Sequence, residues 1–143
     1  MRFPEFVRVL AAVLCLAPAM VWADLPNLKV TVSGAIPAEG YVEVTIFDSE
    51  ETFMRSPFLQ ERGKVDENGQ FVAEFFGIVE GNYAIVVVHD RNHNGVLDTG
   101  FLGFGGELIG YSNGVTTWFG RPDFEDVKIG VESENVEVEI ALH

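Results

Sequence analysis

Apolar and polar residues alternate with a period of two along most of this chain. In "LKVTVSG" Leu28, Val30 and Val32 face one way and Lys29, Thr31 and Ser33 the other, which predicts a half-buried strand. "YVEVTIFD" (41–48) repeats the pattern with Val42, Val44 and Ile46, and "NVEVEIALH" ends the chain with Val136, Val138 and Ile140 on one face. Between them, "ERGKVDENGQFVAEFFG" predicts two strands joined in a hairpin at Asn68-Gly69, a pair suited to the positive-φ positions of a tight turn. The polar segment before it carries Phe53, Met54 and Phe58, which are expected to tuck under the edge of the sheets. No stretch carries a helical period. Short strands with turn signals about every ten residues predict an all-β fold, an antiparallel β-sandwich of about seven strands.

"AIVVVH", within "GNYAIVVVHD", is apolar on both faces, so it needs cover on its outer side as well as its inner one. The expected cover is the long excursion 99–126, which holds seven Gly and the aromatics Phe101, Phe104, Tyr111, Trp118, Phe119 and Phe124. So many aromatics argue against a disordered linker and predict an ordered lobe beside the sheet.

The first 23 residues read as something other than fold. Arg2 and Arg8 precede an apolar run from Val9 to Leu16, and "VWA" places small Ala23 at a cleavage position. These are the three parts of a secretory signal peptide. The run is too short to span a bilayer core of about 30 Å. The expected product is an exported protein, periplasmic or secreted, with residues 24–143 as one sandwich domain. Cys15, the only cysteine, leaves with the signal, which excludes a disulfide or thiolate metal site in the remainder. The whole chain has a net charge of −13, and the signal carries two Arg and one Glu, so the rest stands at −14. That balance argues against nucleic acid and anionic membranes as partners and tolerates divalent cations. The expectation is a monomer with a protein or glycan partner and no membrane insertion once the signal is removed.

Two resemblances bear on the fold. "DENGQFVAEFFGIVEGNYAIVVV" is similar to the repeat heart of transthyretin-like, carboxypeptidase-regulatory-like and collagen-adhesin B-type sandwiches, with an Asn-Gly turn, a strand, a "G-x-Y" corner and another strand. The run "VVVHDRNHNGVLDTGFLGFGGELIGYSNG", followed by "FGRPDFEDVKI", resembles the bacterial family called domain of unknown function 2141. Departures from that family's pattern are Gly105 for Pro, Tyr111 for Phe, Gly114 for Asn and Val127 for Ala. The resemblance implies an exported small sandwich and supplies no activity.

The chemistry concentrates in "HDRNHNGVLD". Calcium takes six to eight hard oxygens, and a loop supplies them from alternate positions. Asp90, Asn92 and Asn94 would offer side-chain oxygens, Gly95 the sharp turn, Val96 a backbone carbonyl and Asp98 a further contact, with Leu97 anchoring the loop inward. The closing position, where a bidentate Glu is usual, is Phe101. Glu107 is the first candidate to complete the shell, followed by Asp123, Glu125 and Asp126. Two neutral Asn predict weak binding, at the extracellular end of about 10⁻⁴–10⁻³ M. The same residues also suit a metal-free turn, since Asn and Asp side chains bond their own backbone. Both readings stay open at this point.

Other candidates are weaker. A metal-dependent hydrolase would use His89, Asp90 and Glu107 around a water, but His89 and His93 lie on a strand end and a turn rather than on one helix face. Ser112 lacks the strand–turn–helix of a nucleophile elbow and reads as another turn residue. Tyr111 and Trp118 would form a sugar-stacking platform if exposed, although such aromatics are usually core. The reading reached from sequence is a non-catalytic binding or structural module stabilised by calcium in the Asp90–Asp98 loop.

Overall fold

The computed structural model describes residues 27–98, 106–117, 120–132 and 135–143. The signal segment and Phe101, Phe104, Trp118 and Phe119 of the expected lobe lie outside the described residues. The strands are β1 (Leu28–Ser33), β2 (Tyr41–Phe47), β3 (Leu59–Gly63), β4 (Phe71–Phe75), β5 (Gly81–Asp90), β6 (Leu108–Tyr111), β7 (Lys128–Val131) and β8 (Val136–Ala141). They form two sheets, one in the order β4-β1-β8 and the other in the order β3-β2-β5-β6, with β7 also pairing β5. Among the described residues no helix is long and apolar enough to cross a membrane.

The period of two does what it predicts. Leu28, Val30, Val32, Val42, Val44 and Ile46 are each 0% exposed and meet Ile85, Val87 and Ile140 between the sheets. Each such side chain contributes roughly 1.5–3 kcal/mol on burial. β5 buries its second face too. Ala84 and Val86 lie under Phe47, Tyr111, Phe124 and Val127, with Phe53 and Met54 packed against them. The cover therefore comes from two segments, the 48–58 connection and the 108–127 region. Phe53 bridges them, edge-on to Phe47 at 5.4 Å and to Phe124 at 5.9 Å. Phe58 does not tuck in; it is 43% exposed, with its ring 5.8 Å from that of Tyr83.

Three expectations need correction. First, the segments flanking Asn68-Gly69 do not form a hairpin. β3 pairs with β2 and β4 with β1, so this connection carries the chain from one sheet to the other. Gly69 alone takes the positive φ, at 74°. A Cβ there would stand 2.1 Å from the Ala35 carbonyl oxygen, so the turn is shaped by close approach to the loop after β1. Second, the sandwich is not wholly antiparallel, because β8 runs parallel to β1. The chain leaves β7 in the other sheet and enters beside β1 in the same direction. Third, a single helical turn, α1 (Phe124–Val127), stands ahead of β7 and buries Phe124 and Val127 over β5. Four residues are too few to show a helical period in sequence.

Candidate metal-binding loop

The geometry of the site follows from strand parity. On β5 the side chains of Tyr83, Ile85 and Val87 enter the inter-sheet core, and His89 continues that face. Asp90, one residue on, belongs to the outer face. In register, Tyr41 lies opposite Asp90, and Glu43 lies opposite Arg62 of β3. Arg62 therefore shares the outer face and reaches Asp90, donating from Nη2 to Oδ2 at 2.9 Å, while its Nε lies 3.3 Å from Glu43 Oε2. Asp90 is 3% exposed, so its charge is met where it is buried.

From Asp90 the chain turns through a nest of side-chain-to-backbone bonds. Asp90 accepts from the backbone N–H of Asn94 (3.2 Å) and of Gly95 (3.0 Å). Asn92 Oδ1 accepts from Asn94 N–H at 3.0 Å, and Asn94 Oδ1 from Val96 N–H at 2.8 Å. The amide groups of Asn92 and Asn94 donate to Asp98 Oδ2 at 2.5 and 3.0 Å. His93 and Gly95 take left-handed φ values of 63° and 70°. His93 has its ring edge-on to Tyr41, 4.8 Å between centroids, which helps hold a conformation that L-residues adopt only at some cost. Leu97 is half-buried.

Glu107, just ahead of β6, closes the arrangement. Its Oε1 accepts from Arg91 N–H at 3.0 Å and its Oε2 from Asp98 N–H at 3.2 Å, while its own N–H donates to the Asp98 carbonyl at 2.8 Å. The distant acid expected from sequence does reach the loop. Asp123, Glu125 and Asp126 do not join it among the described residues: they lie at α1, where Glu125 pairs with Lys128. Glu107 also borders two hollows. One, of about 330 Å³, is lined by Glu39, Arg91, Asn92, Asp98, Gly106 and Glu107. A smaller one, of about 110 Å³, lies towards Arg62, Asp90 and Val96.

Burial pushes the Asp90 carboxyl upwards, but bonds from the Gly95, His93 and Asn94 N–H groups and the Arg62 charge outweigh it. The net effect holds Asp90 below the usual carboxylate range. Among the described residues no three His, Cys, Asp or Glu side chains converge as a metal held by those groups alone would require. An ion here would depend on the Asn92 and Asn94 oxygens and the Val96 carbonyl as well. Calcium accepts such neutral oxygens; zinc prefers nitrogen and sulfur.

The other candidates are placed elsewhere. His89 is 0% exposed, with Nε2 2.8 Å from the Glu39 carbonyl and Nδ1 3.5 Å from Ile36 N–H. Both ring nitrogens serve the 34–40 loop, and strand parity turns His89 away from Asp90 and Glu107, so the hydrolase trio is not brought together. Ser112 is a buried clip: its hydroxyl accepts from Ile85 N–H at 3.0 Å and donates towards the Val127 carbonyl. Tyr111 is 5% exposed inside the outer cluster, so its ring offers no face to a sugar. Trp118 lies outside the described residues. The residue that sequence reasoning missed is Arg62, which sits 28 positions from Asp90. Only the registers of β2 with β3 and β5 reveal the contact.

No curated protein and no solved structure matches the chain. A family model described as "Uncharacterized protein conserved in bacteria (DUF2141)" matches residues 30–139, a span running from β1 to β8 with the Asp90–Asp98 loop and Glu107 inside it. By that match the chain belongs to this bacterial family.

Proposed function

We propose that the protein is an exported, non-catalytic binding or structural module whose Asp90–Asp98 loop takes a calcium ion. The observation that carries this reading is the run of side-chain oxygens along one loop: Asp90, Asn92, Asn94 and Glu107 bond its backbone N–H groups, and Asp98 accepts from the Asn92 and Asn94 amides. Asp90, Asn92, Asn94, Asp98 and Glu107 would hold the ion together with the Val96 carbonyl. The ion would supply positive charge that offsets the repulsion among the carboxylates. Because Glu107 stands at the start of β6, it would also tie the end of β5 to the strand that follows. Export rests on the three-part N-terminal segment. A soluble, strongly acidic surface is consistent with it.

The N–H bonds already made by these side chains favour one alternative, a turn that is complete without metal. Thermal unfolding separates the two readings. Calcium at about ten times its dissociation constant adds about 1.4 kcal/mol, which raises Tm by several degrees for a domain of this size. Chelator reverses the rise, and Asp98→Asn abolishes it. A midpoint indifferent to about 10 mM calcium, ten times the weakest dissociation constant expected, leaves the metal-free turn.

A further inference from the structure

We propose that the outer edge of β4 is a docking strand for an extended segment of another protein, one that alternates apolar and cationic side chains. β4 and β3 end their sheets on the same side of the sandwich. The opposite side is closed: Ile109 and His143 exchange backbone hydrogen bonds at 3.3 and 3.1 Å, so the chain end passes from β8 to β6. On the β4 side the main chain stays available. Glu74 turns its N–H away from β1, and Glu61 Oε2, from the other sheet, accepts it at 3.0 Å. Val72, two residues earlier, turns its N–H and C=O the same way, because main-chain groups alternate along a strand. An edge of this kind is a ready template for one more strand.

Side chains and charge say what the segment must carry. Among the described residues six large apolar side chains are exposed, and five of them border this edge. Phe58 precedes β3 and Leu59 begins it, Val72 stands on β4, and Phe76 and Val79 follow β4. Phe58 and Val79 meet at Tyr83, whose ring lies 5.8 Å from that of Phe58 and whose hydroxyl donates to the Val79 carbonyl at 2.9 Å. Apolar exposure gathered in this way marks an interaction surface, where single scattered residues would not. Two carboxylates, Glu61 and Glu74, sit within it. Among the described residues neither forms an ion pair, and Lys29, opposite Glu74 on β1, is taken by Glu137. A lysine or arginine of the segment would pair with Glu61 and draw it off the Glu74 N–H, which frees that donor for the new strand. A second copy of this chain would set Glu61 and Glu74 against their like, in a chain of net charge −13, so the charge selects a different partner.

The test uses short synthetic peptides that alternate Val-Lys, Val-Glu or Ser-Lys, titrated into the ¹⁵N-labelled protein at low salt. Val-Lys should give saturable shifts at the Val72, Ala73 and Glu74 amides and bind about tenfold tighter than either other peptide. Glu74→Pro removes the outward N–H at an edge position, where proline is tolerated, and should weaken Val-Lys binding about tenfold. Phe76→Ser changes a side chain that is already exposed and lies past the end of β4, so it keeps the fold; it should weaken binding about three- to tenfold. No saturable shift at about 1 mM Val-Lys, shifts confined to other surfaces, or equal binding of Ser-Lys each overturns the docking strand. So does undiminished binding by the folded variants. A dimer of the free protein in sedimentation that Glu74→Pro dissolves would give the edge to a second copy and overturn the partner proposed.

Discussion

Two turns in this molecule start from nearly the same words, and they are built to different ends. "DENG", from Asp66 to Gly69, and "DRNHNG", from Asp90 to Gly95, each place an Asp before an Asn-Gly step. In the first, Asp66 Oδ1 accepts from Asn68 and Gln70 N–H, both at 2.8 Å, and the turn is complete. Its side chain stands in solvent, and the fit to the fold comes from Gly69 against Ala35. In the second, Asp90 is buried, and Asn92, Asn94, Asp98, Glu107 and Arg62 add bonds of their own. The exposed turn is a sample, within the same chain, of what backbone closure requires. The second turn is longer, and its added oxygens bond further N–H groups of the loop; the calcium proposed for it would have to compete with those bonds.

The glycines test the comparison most severely. A Cβ at Gly69 meets a backbone oxygen that cannot yield, whereas at Gly95 nothing lies within 4 Å. Gly69→Ala should therefore cost about 3 kcal/mol or more, and Gly95→Ala only the left-handed backbone term of about 1–2 kcal/mol, both read from urea unfolding. Equal losses would mean that the simple turn is not held by its packing. Next in size, Asp90→Ala should cost about 2–3 kcal/mol, because it strands two N–H groups and Arg62, and Asp66→Ala should cost clearly less. A smaller effect is expected in acid. Asp66 is held low chiefly by its bond from Gln70 N–H, outweighing burial, and Asp90 by the bonds named above. A carboxyl with a depressed folded-state pKa binds fewer protons folded than unfolded. Its stabilisation is therefore present above the ordinary carboxylate pKa and lost as pH falls through the depressed value. The urea midpoint should drop below about pH 4, and Asp66→Asn should remove part of that drop. A midpoint flat to about pH 3 would contradict both assignments.

Much of the fold was legible because burial follows parity. β1, β2, β5 and β8 could be read directly, with their inward residues, and the two apolar faces of β5 announced a second layer. The partners of β3 and β4 could not be read, since a local Asn-Gly signal looks the same in a hairpin and in a link between sheets. The direction of β8 depends on where β7 lies, which no pattern within β8 records. At the site, Asp90 to Asp98 were nameable from residue type and spacing, and Glu107 from the family resemblance. Arg62 was hidden by a separation of 28 positions, and its contact with Asp90 depends on registers that only the folded sheet fixes. The separation of His89 from Asp90 was within reach: adjacent strand residues face opposite ways.

The most direct test follows the backbone amides of both turns by ¹H–¹⁵N NMR during a calcium titration. Saturable shifts at Arg91, Asn94, Gly95, Val96 and Asp98, with Asn68, Gly69 and Gln70 unmoved, are the predicted result. Shifts that never saturate, or that move both turns alike, would show that the second turn holds no ion and that its extra oxygens serve only its own backbone.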